Sequence, residues 1–267
     1  MKALKKLLFG GSLPKPPRRT RPHLLSNQWP DALYVIGDIH GCLHELKALE
    51  RLIVADAQDI AGEKWIVTLG DYVDRGPDSA GVIDHLLKTP PEGFSRFCLA
   101  GNHETMMFEF FRSPADSLSW LDLGGRETLA SYGIDAAGTD WTNLSAARSL
   151  LDVVIPYEHI DFISSAALYL EIPGLICVHA GIRAGIPMEE QEESDLLWMR
   201  REFHDTHSPD APLVVHGHTP AVKVVVQANR ICVDTAAYAT GRLTSVRLKP
   251  QPRTFLVGTA SSHAAAR

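Results

Sequence analysis

Five short segments of this chain carry side chains that bind cations. Asp38-Ile39-His40 sets a carboxylate and an imidazole two residues apart between Gly37 and Gly41, so both can point toward one ion from a tight loop. Alone the triplet says little, because a hydrogen-bonded Asp in a turn explains it better. Gly70-Asp71-Tyr72-Val73-Asp74-Arg75-Gly76 adds two carboxylates and a guanidinium, and Gly101-Asn102-His103-Glu104 adds an amide and an imidazole. Val178-His179-Ala180-Gly181 and His216-Gly217-His218-Thr219-Pro220 supply further imidazoles. Taken together, the segments make coincidence an inadequate account.

The elements that must position them are visible as apolar runs ending abruptly in a polar residue. Tyr34-Val35-Ile36, Trp65 to Leu69, Phe97 to Ala100, Leu175 to Val178, Leu213 to Val215 and Ile231 to Val233 each read as a buried strand. The period then shifts to that of a helix in Leu43, Leu46, Leu49 and Leu52, and again in Val82, Ile83, Leu86 and Leu87, which is a βαβ signal. Ligands of such sheets bind beyond the carboxyl ends of the strands, where all these polar residues fall, so one shared site is expected. Residues 104–173 read as a helical cap built on Met106, Met107, Phe108, Phe110 and Phe111. The expected organisation is a basic disordered tail at 1–30, one domain at 31–250 and a frayed segment at 251–267.

Composition narrows the class. At 267 residues the chain can bury one large core, and 45% hydrophobic against 22% charged residues is globular. No apolar run reaches the roughly 18 residues needed to span a bilayer, so a soluble protein without stable membrane insertion is expected. Seven basic residues precede the first acid, Asp31, so the remainder carries −13. A body of that charge repels polyanions and argues against nucleic-acid binding. Cys42, Cys98, Cys177 and Cys232 form no C-x-x-C pair, and buried free thiols in a reducing cytoplasm fit them.

From about Tyr34 to Leu248 the ordered set of motifs resembles the calcineurin-like metallophosphoesterases, in particular the bacterial branch of the serine/threonine phosphoprotein phosphatases. Gly124-Gly125 with Thr128-Leu129, Ser131-Tyr132-Gly133 and Trp198-Met199-Arg200 extend the likeness. One departure is Asp234-Thr235-Ala236-Ala237, where the family pattern is Asp-Thr-Gly-Ala. The resemblance implies an α/β fold of two packed mixed β-sheets flanked by helices, with the metal site at the carboxyl ends of the strands. It implies that Asp38, His40 and Asp71 hold one metal, and Asp71, Asn102, His179 and His218 the other, with Asp71 bridging. Oxygen and nitrogen donors without thiolate suit Mn, Fe or Zn, and Mn is the expected ion. A water shared by two divalent ions ionises near neutrality, so hydroxide is the expected nucleophile.

By the same resemblance Arg75, Asn102 and Arg200 contact the phosphoryl group, and His103 protonates the leaving oxygen with Asp74 fixing its tautomer. His216 is expected behind the ligands, and Asp234 either orients His218 or caps a turn. His23, His44, His85, His159, His204, His207 and His263 are assigned no role. The expected substrate is a phosphoserine or phosphothreonine protein or peptide. The rivals are symmetrical hydrolysis of dinucleoside tetraphosphates, whose enzymes carry Ala in place of Asp74 and Asp in place of Glu104, and a non-catalytic metal-bearing binding protein.

Overall fold

In the computed structural model, which describes residues 21–200, 211–249 and 255–261, the chain runs through β1 (Leu24–Leu25), β2 (Ala32–Ile36), α1 (Leu43–Asp56), β3 (Lys64–Thr68), α2 (Ser79–Leu87) and β4 (Phe94–Cys98). It continues through α3 (Asn102–Arg112), α4 (Gly125–Ser131), α5 (Leu144–Val154), α6 (Tyr157–Ser165), β5 (Tyr169–Ile172), β6 (Leu175–Val178) and α7 (Glu193–Trp198). It ends with β7 (Leu213–His216), β8 (Val225–Gln227), β9 (Arg230–Cys232), α8 (Ala237–Thr240), β10 (Arg242–Leu248) and β11 (Phe255–Ser261).

Strand β2 shows why two sheets must stack. All of its residues are buried, so both faces need cover, and this is why it reads as an unbroken apolar run. Leu33 and Val35 join Trp65, Val67, Leu170, Cys177, Leu213 and Ile231 in a core between the sheets. Ala32, Tyr34 and Ile36 face the other way, into a core shared with α1, α2 and the cap helices. A third cluster covers the outer face of the second sheet, where Ile176, Val178 and Val214 meet Leu196 and Leu197 of α7. The first sheet has the order β11-β10-β2-β3-β4 and the second β1-β5-β6-β7-β9-β8. Both are mixed: β2, β3 and β4 run parallel and β10 antiparallel to β2, while β6, β7 and β9 run parallel and β5 and β8 pair antiparallel. The expected fold of two packed mixed sheets flanked by helices is the fold observed.

The expected boundaries shift in several places. The run ending at Ala100 belongs to a strand that stops at Cys98, with Leu99 forming a parallel bridge to Ala167. Within the expected cap, Tyr169–Ile172 is a strand of the second sheet. Within the expected tail, residues 21–30 lie on the body. The Arg21 guanidinium is buried and donates to the carbonyls of Ile163 (2.8 Å) and Ala166 (3.3 Å), and Leu168 N–H donates to Pro22 O at 2.9 Å. In the segment expected to fray, 255–261 pairs residue for residue with β10. The expectations for 1–20, 251–254 and 262–267, and those for His204, His207 and His263, lie outside the described residues. No helix among the described residues is long and apolar enough to cross a membrane, and all four cysteines are free.

One buried ionic cluster joins α1, α2 and β4. Arg96 donates to Glu50 Oε1 at 2.7 Å and to Leu86 O and Lys88 O, while His85 Nε2 contacts Glu50 Oε2. Burial raises the Glu50 pKa, but the His85 hydrogen bond and the Arg96 charge outweigh it and hold the carboxyl below its ordinary value. A depressed folded pKa means that the stabilisation is present above the unfolded value of about 4.3 and is lost as pH falls through the folded one. Glu50→Ala is expected to lose roughly 3 kcal/mol at pH 7, because Arg96 is left buried without its partner. Urea denaturation should show that gap narrowing below about pH 4 as the wild-type carboxyl protonates.

Candidate metal centre

Every motif lies just past the carboxyl end of a strand. Asp38 and His40 follow β2, Asp71 to Arg75 follow β3, Asn102 and His103 open α3 after β4, His179 follows β6, and His216 closes β7 two residues before His218. The loops are strained. His40, Asp71, Asp74, Arg75 and His218 all have positive φ, between 46° and 73°, where side chains crowd the following carbonyl. Backbone bonds hold them there: Ile39 and His40 N–H both donate to Asp71 O (3.1 and 2.7 Å). Gly41 and Gly76 approach so closely that a Cβ on either would strike backbone of the other loop. The Glu104 carboxylate accepts N–H from Gly101 (2.8 Å), Asp71 (2.8 Å), Tyr72 (2.7 Å) and Val73 (3.3 Å). Burial, then the Asp71 charge, raise the Glu104 pKa to about 8 against the pull of those donors.

The Asp71 carboxylate stands between two imidazole groups, Oδ2 3.5 Å from His40 Nε2 and Oδ1 3.4 Å from His179 Nε2. Asn102 Oδ1 lies 2.8 Å from His179 Nε2 and 3.0 Å from His218 Nδ1. Among the described residues, the carboxylate, imidazole and thiol groups that could hold an ion form two buried clusters, His40-Asp71-His103 and Asp71-His179-His218. Asp38 falls outside both. Its oxygens accept the His218 N–H at 3.0 and 3.2 Å, and it neighbours Asp234. His103, expected as a proton donor, lies in the first group with Nε2 3.9 Å from Asp71 Oδ2.

The donor atoms are oriented from behind. Nδ1 of His40 meets Val73 O at 2.8 Å and Nδ1 of His179 meets Leu69 O at 2.8 Å, so each ring donates there and turns Nε2 inward. Burial lowers the pKa of all three expected ligand histidines: His40 well down, His179 to about 3, His218 to about 2. They are therefore neutral, the form that binds metal. Burial, then the charges of Asp234 and Asp71, drive Asp38 well up. A buried carboxylate cluster beside neutral imidazoles is a site that a cation relieves, and guanidinium groups already border it. Arg75 donates to Nε2 of His40 (3.1 Å) and of His103 (3.0 Å), and Arg200 Nε donates to His218 Nε2 (3.2 Å). The residues fit divalent metal ions.

His103 Nδ1 lies 2.6 Å from Asp74 Oδ2, as the expected pairing requires. His216 is buried and belongs to neither cluster, with Nδ1 2.9 Å from Gly217 O. Asp234 caps a turn, Oδ1 accepting from Ala236 N at 2.8 Å. Of the histidines without an expected role, His85 pairs with Glu50, His159 with Tyr132 and Asp84, and His23 stacks on Tyr169. Three neighbours of the site were not expected from sequence. Trp120 and Thr128 bond Asp74, and the Tyr238 ring lies 4.8 Å from the Arg75 guanidinium carbon. Thr128 had a signal in the glycine-pair motif and Tyr238 in its place next to the departing Asp234-Thr235-Ala236-Ala237 segment; Trp120 had none, because only the fold brings it near.

Two stacked mixed sheets with a carboxylate shared between histidine groups at their strand ends define a metal-dependent hydrolase. The Calcineurin-like phosphoesterase family model matches residues 32–242, and the chain belongs to that family. It is a metallophosphoesterase, and the family uses divalent metals. Among curated relatives, the asymmetrical bis(5'-nucleosyl)-tetraphosphatase PrpE of Oceanobacillus iheyensis is 25% identical over 80% of this chain and 87% of its own. Serine/threonine-protein phosphatase 2 of Escherichia coli K12 is 27% identical over 81% of this chain and 93% of its own. A solved structure assigned to the diadenosine tetraphosphatases superposes with a TM-score of 0.62 at 20% identity, covering 91% of this chain and all of that one, and shows the shared fold.

Ala236 occupies the position where the family pattern has Gly, and its φ of 52° shows why glycine belongs there. The left-handed conformation costs alanine roughly 1–2 kcal/mol, part of which glycine's greater unfolded-state freedom would cancel. Ala236→Gly is expected to raise stability by roughly 0.5–1 kcal/mol, read as an increase in Tm with metal content unchanged.

Proposed function

We propose that this metallophosphoesterase hydrolyses phosphoserine and phosphothreonine esters of proteins, with manganese as its working metal in the cytoplasm. Asp38, His40 and Asp71 would hold one ion, and Asp71, Asn102, His179 and His218 the other. When bound, the ions would supply Lewis acidity toward phosphoryl oxygen and acidify the attacking water. Arg75 and Arg200, already beside the donor atoms, offer planar N–H pairs to the phosphoryl oxygens as negative charge builds. The Asn102 amide nitrogen is a further donor.

The observation that carries the choice of substrate is the 2.6 Å contact between His103 Nδ1 and Asp74 Oδ2. It commits Nδ1–H to the carboxylate, so the proton for the departing oxygen would be carried on Nε2 of the protonated ring, the atom that here accepts from Arg75. A serine alkoxide is strongly basic and needs that proton. The phosphate group of a departing nucleotide is weakly basic and needs it far less. Asp74 and Glu104 also match the protein-phosphatase pattern rather than that of the symmetrical tetraphosphatases.

The names of relatives such as the Oceanobacillus protein favour a second reading, hydrolysis of dinucleoside tetraphosphates, and they indicate asymmetrical rather than symmetrical cleavage. With Mn-loaded protein, kcat/KM is expected to be higher for phosphoserine and phosphothreonine peptides than for diadenosine tetraphosphate. The reverse order selects the second reading. Elemental analysis tests the ligand assignment: Asp71→Asn is expected to weaken both metal positions together, whereas Asn102→Ala should weaken chiefly one. Two tightly held ions in Asp71→Asn protein would reject the bridging role.

A further inference from the structure

The glycine-pair motif, Gly124-Gly125 with Thr128, contributes no side chain to the metal donors, yet it closes on the residue that orients His103. Asp74 is fully buried, and its two oxygens take three side-chain bonds. Oδ2 accepts from His103 Nδ1 (2.6 Å) and Trp120 Nε1 (2.7 Å), and Oδ1 accepts from Thr128 Oγ1 (2.7 Å). We propose that Trp120 and Thr128 are positioning residues for the leaving-group step, fixing Asp74 so that Asp74 fixes the His103 imidazole. The proposal rests on His103 acting as the proton donor.

Donor accounting leaves little freedom in this cradle. Indole offers one N–H, and a hydroxyl offers one proton with room to accept. Thr128 gives its proton to the carboxylate and accepts the Asp74 backbone N–H at 2.8 Å. Ser79 Oγ lies 3.1 Å from both Thr128 Oγ1 and Asp74 N, so its own proton is directed to Thr128. Asp74 is held at its backbone and at both oxygens in a left-handed conformation, φ 73°.

The two glycines permit the approach. A Cβ on Gly124, whose φ is 114°, would meet Arg75 N at 2.5 Å and Asp74 Cβ at 2.8 Å, and a Cβ on Gly125 would meet the Trp120 ring at 2.5 Å. Gly124 O also accepts N–H from Arg75 and Thr128 (3.4 and 3.3 Å). The Trp120 ring packs on Phe110, 4.7 Å between centroids, and Phe110 lies on α3, the helix that begins with Asn102 and His103. The cap thus holds both members of the pair.

The test uses Thr128→Val, which keeps the shape and removes the hydroxyl, Trp120→Phe, and Thr128→Ser, which restores the hydroxyl. Each is assayed with Mn on a phosphoserine peptide and on p-nitrophenyl phosphate, whose leaving group needs no proton. Thr128→Val and Trp120→Phe are expected to lose about tenfold in kcat on the peptide and distinctly less on the aryl ester, with metal content unchanged and Thr128→Ser near wild type. Equal losses on both substrates, or none, overturn the proposal. His103→Asn separates the causes. If it loses the peptide reaction selectively while Thr128→Val does not, the cradle is wrong and the proton-donor reading survives. If it shows no selectivity, both fall.

Discussion

The carboxylate of Glu104 is the interaction on which the site depends. Reaching back from the first turn of α3, it gathers four backbone N–H groups from two separate loops, Gly101 on one and Asp71, Tyr72 and Val73 on the other. Those groups are buried, and without an acceptor each would carry its own desolvation cost. The bond to Asp71 N sets the residue whose carboxylate divides the two imidazole groups, and the same helix carries Asn102 and His103 into register with it. A shorter acid at 104 would have to bring α3 closer to satisfy the same donors. Length at this position is therefore a geometric variable of the centre and not only a marker of ancestry.

The remaining constraint is strain. Five of the six non-glycine residues at positive φ among those described are expected site residues, and the sixth, Ala236, turns the chain beside Asp234. Such conformations persist where surroundings over-determine them. Here the surroundings are two stacked sheets with a core between them and one on each outer face, whose parallel strands deliver their loops to one edge. The rigidity of the sandwich pins the loops, and the pinned loops aim the side chains.

Much of this was legible in the sequence. Strands covered on both faces, such as β2 and β6, are continuous apolar runs, and their ends mark the expected donor residues. Others were hidden by composition. Strand β10 buries Thr244 and Ser245, whose polar side chains find partners or cover only in the fold, so its pattern is not that of a core strand. Strand β5 interrupts its apolar run with Glu171. In α1 the sequence stripe extends to Leu52, which is half exposed, while Glu50 is buried because Arg96 and His85 meet it. Within the site, local motifs carried the donors, but Trp120 lies 46 positions from Asp74 and no spacing rule links them. The position of Asp38 against the His218 amide is equally a product of topology, joining chain segments 180 positions apart.

The place of β10 has a consequence for how the protein is made. It sits between β11 and β2, so one hydrogen-bonding edge of β2 stays open until residues 242–248 have been synthesised. The half of the centre anchored by Glu104 draws on β2, β3, β4 and α3, all in the first part of the chain, and can assemble as that part emerges. His179 and His218 arrive later, β10 after both of them, and β11, which pairs with β10, comes last. An emerging chain therefore presents an unpaired apolar strand edge for most of its translation, the kind of surface that recruits other strands. A chain ending before residue 245 leaves that edge of β2 without its partner strand.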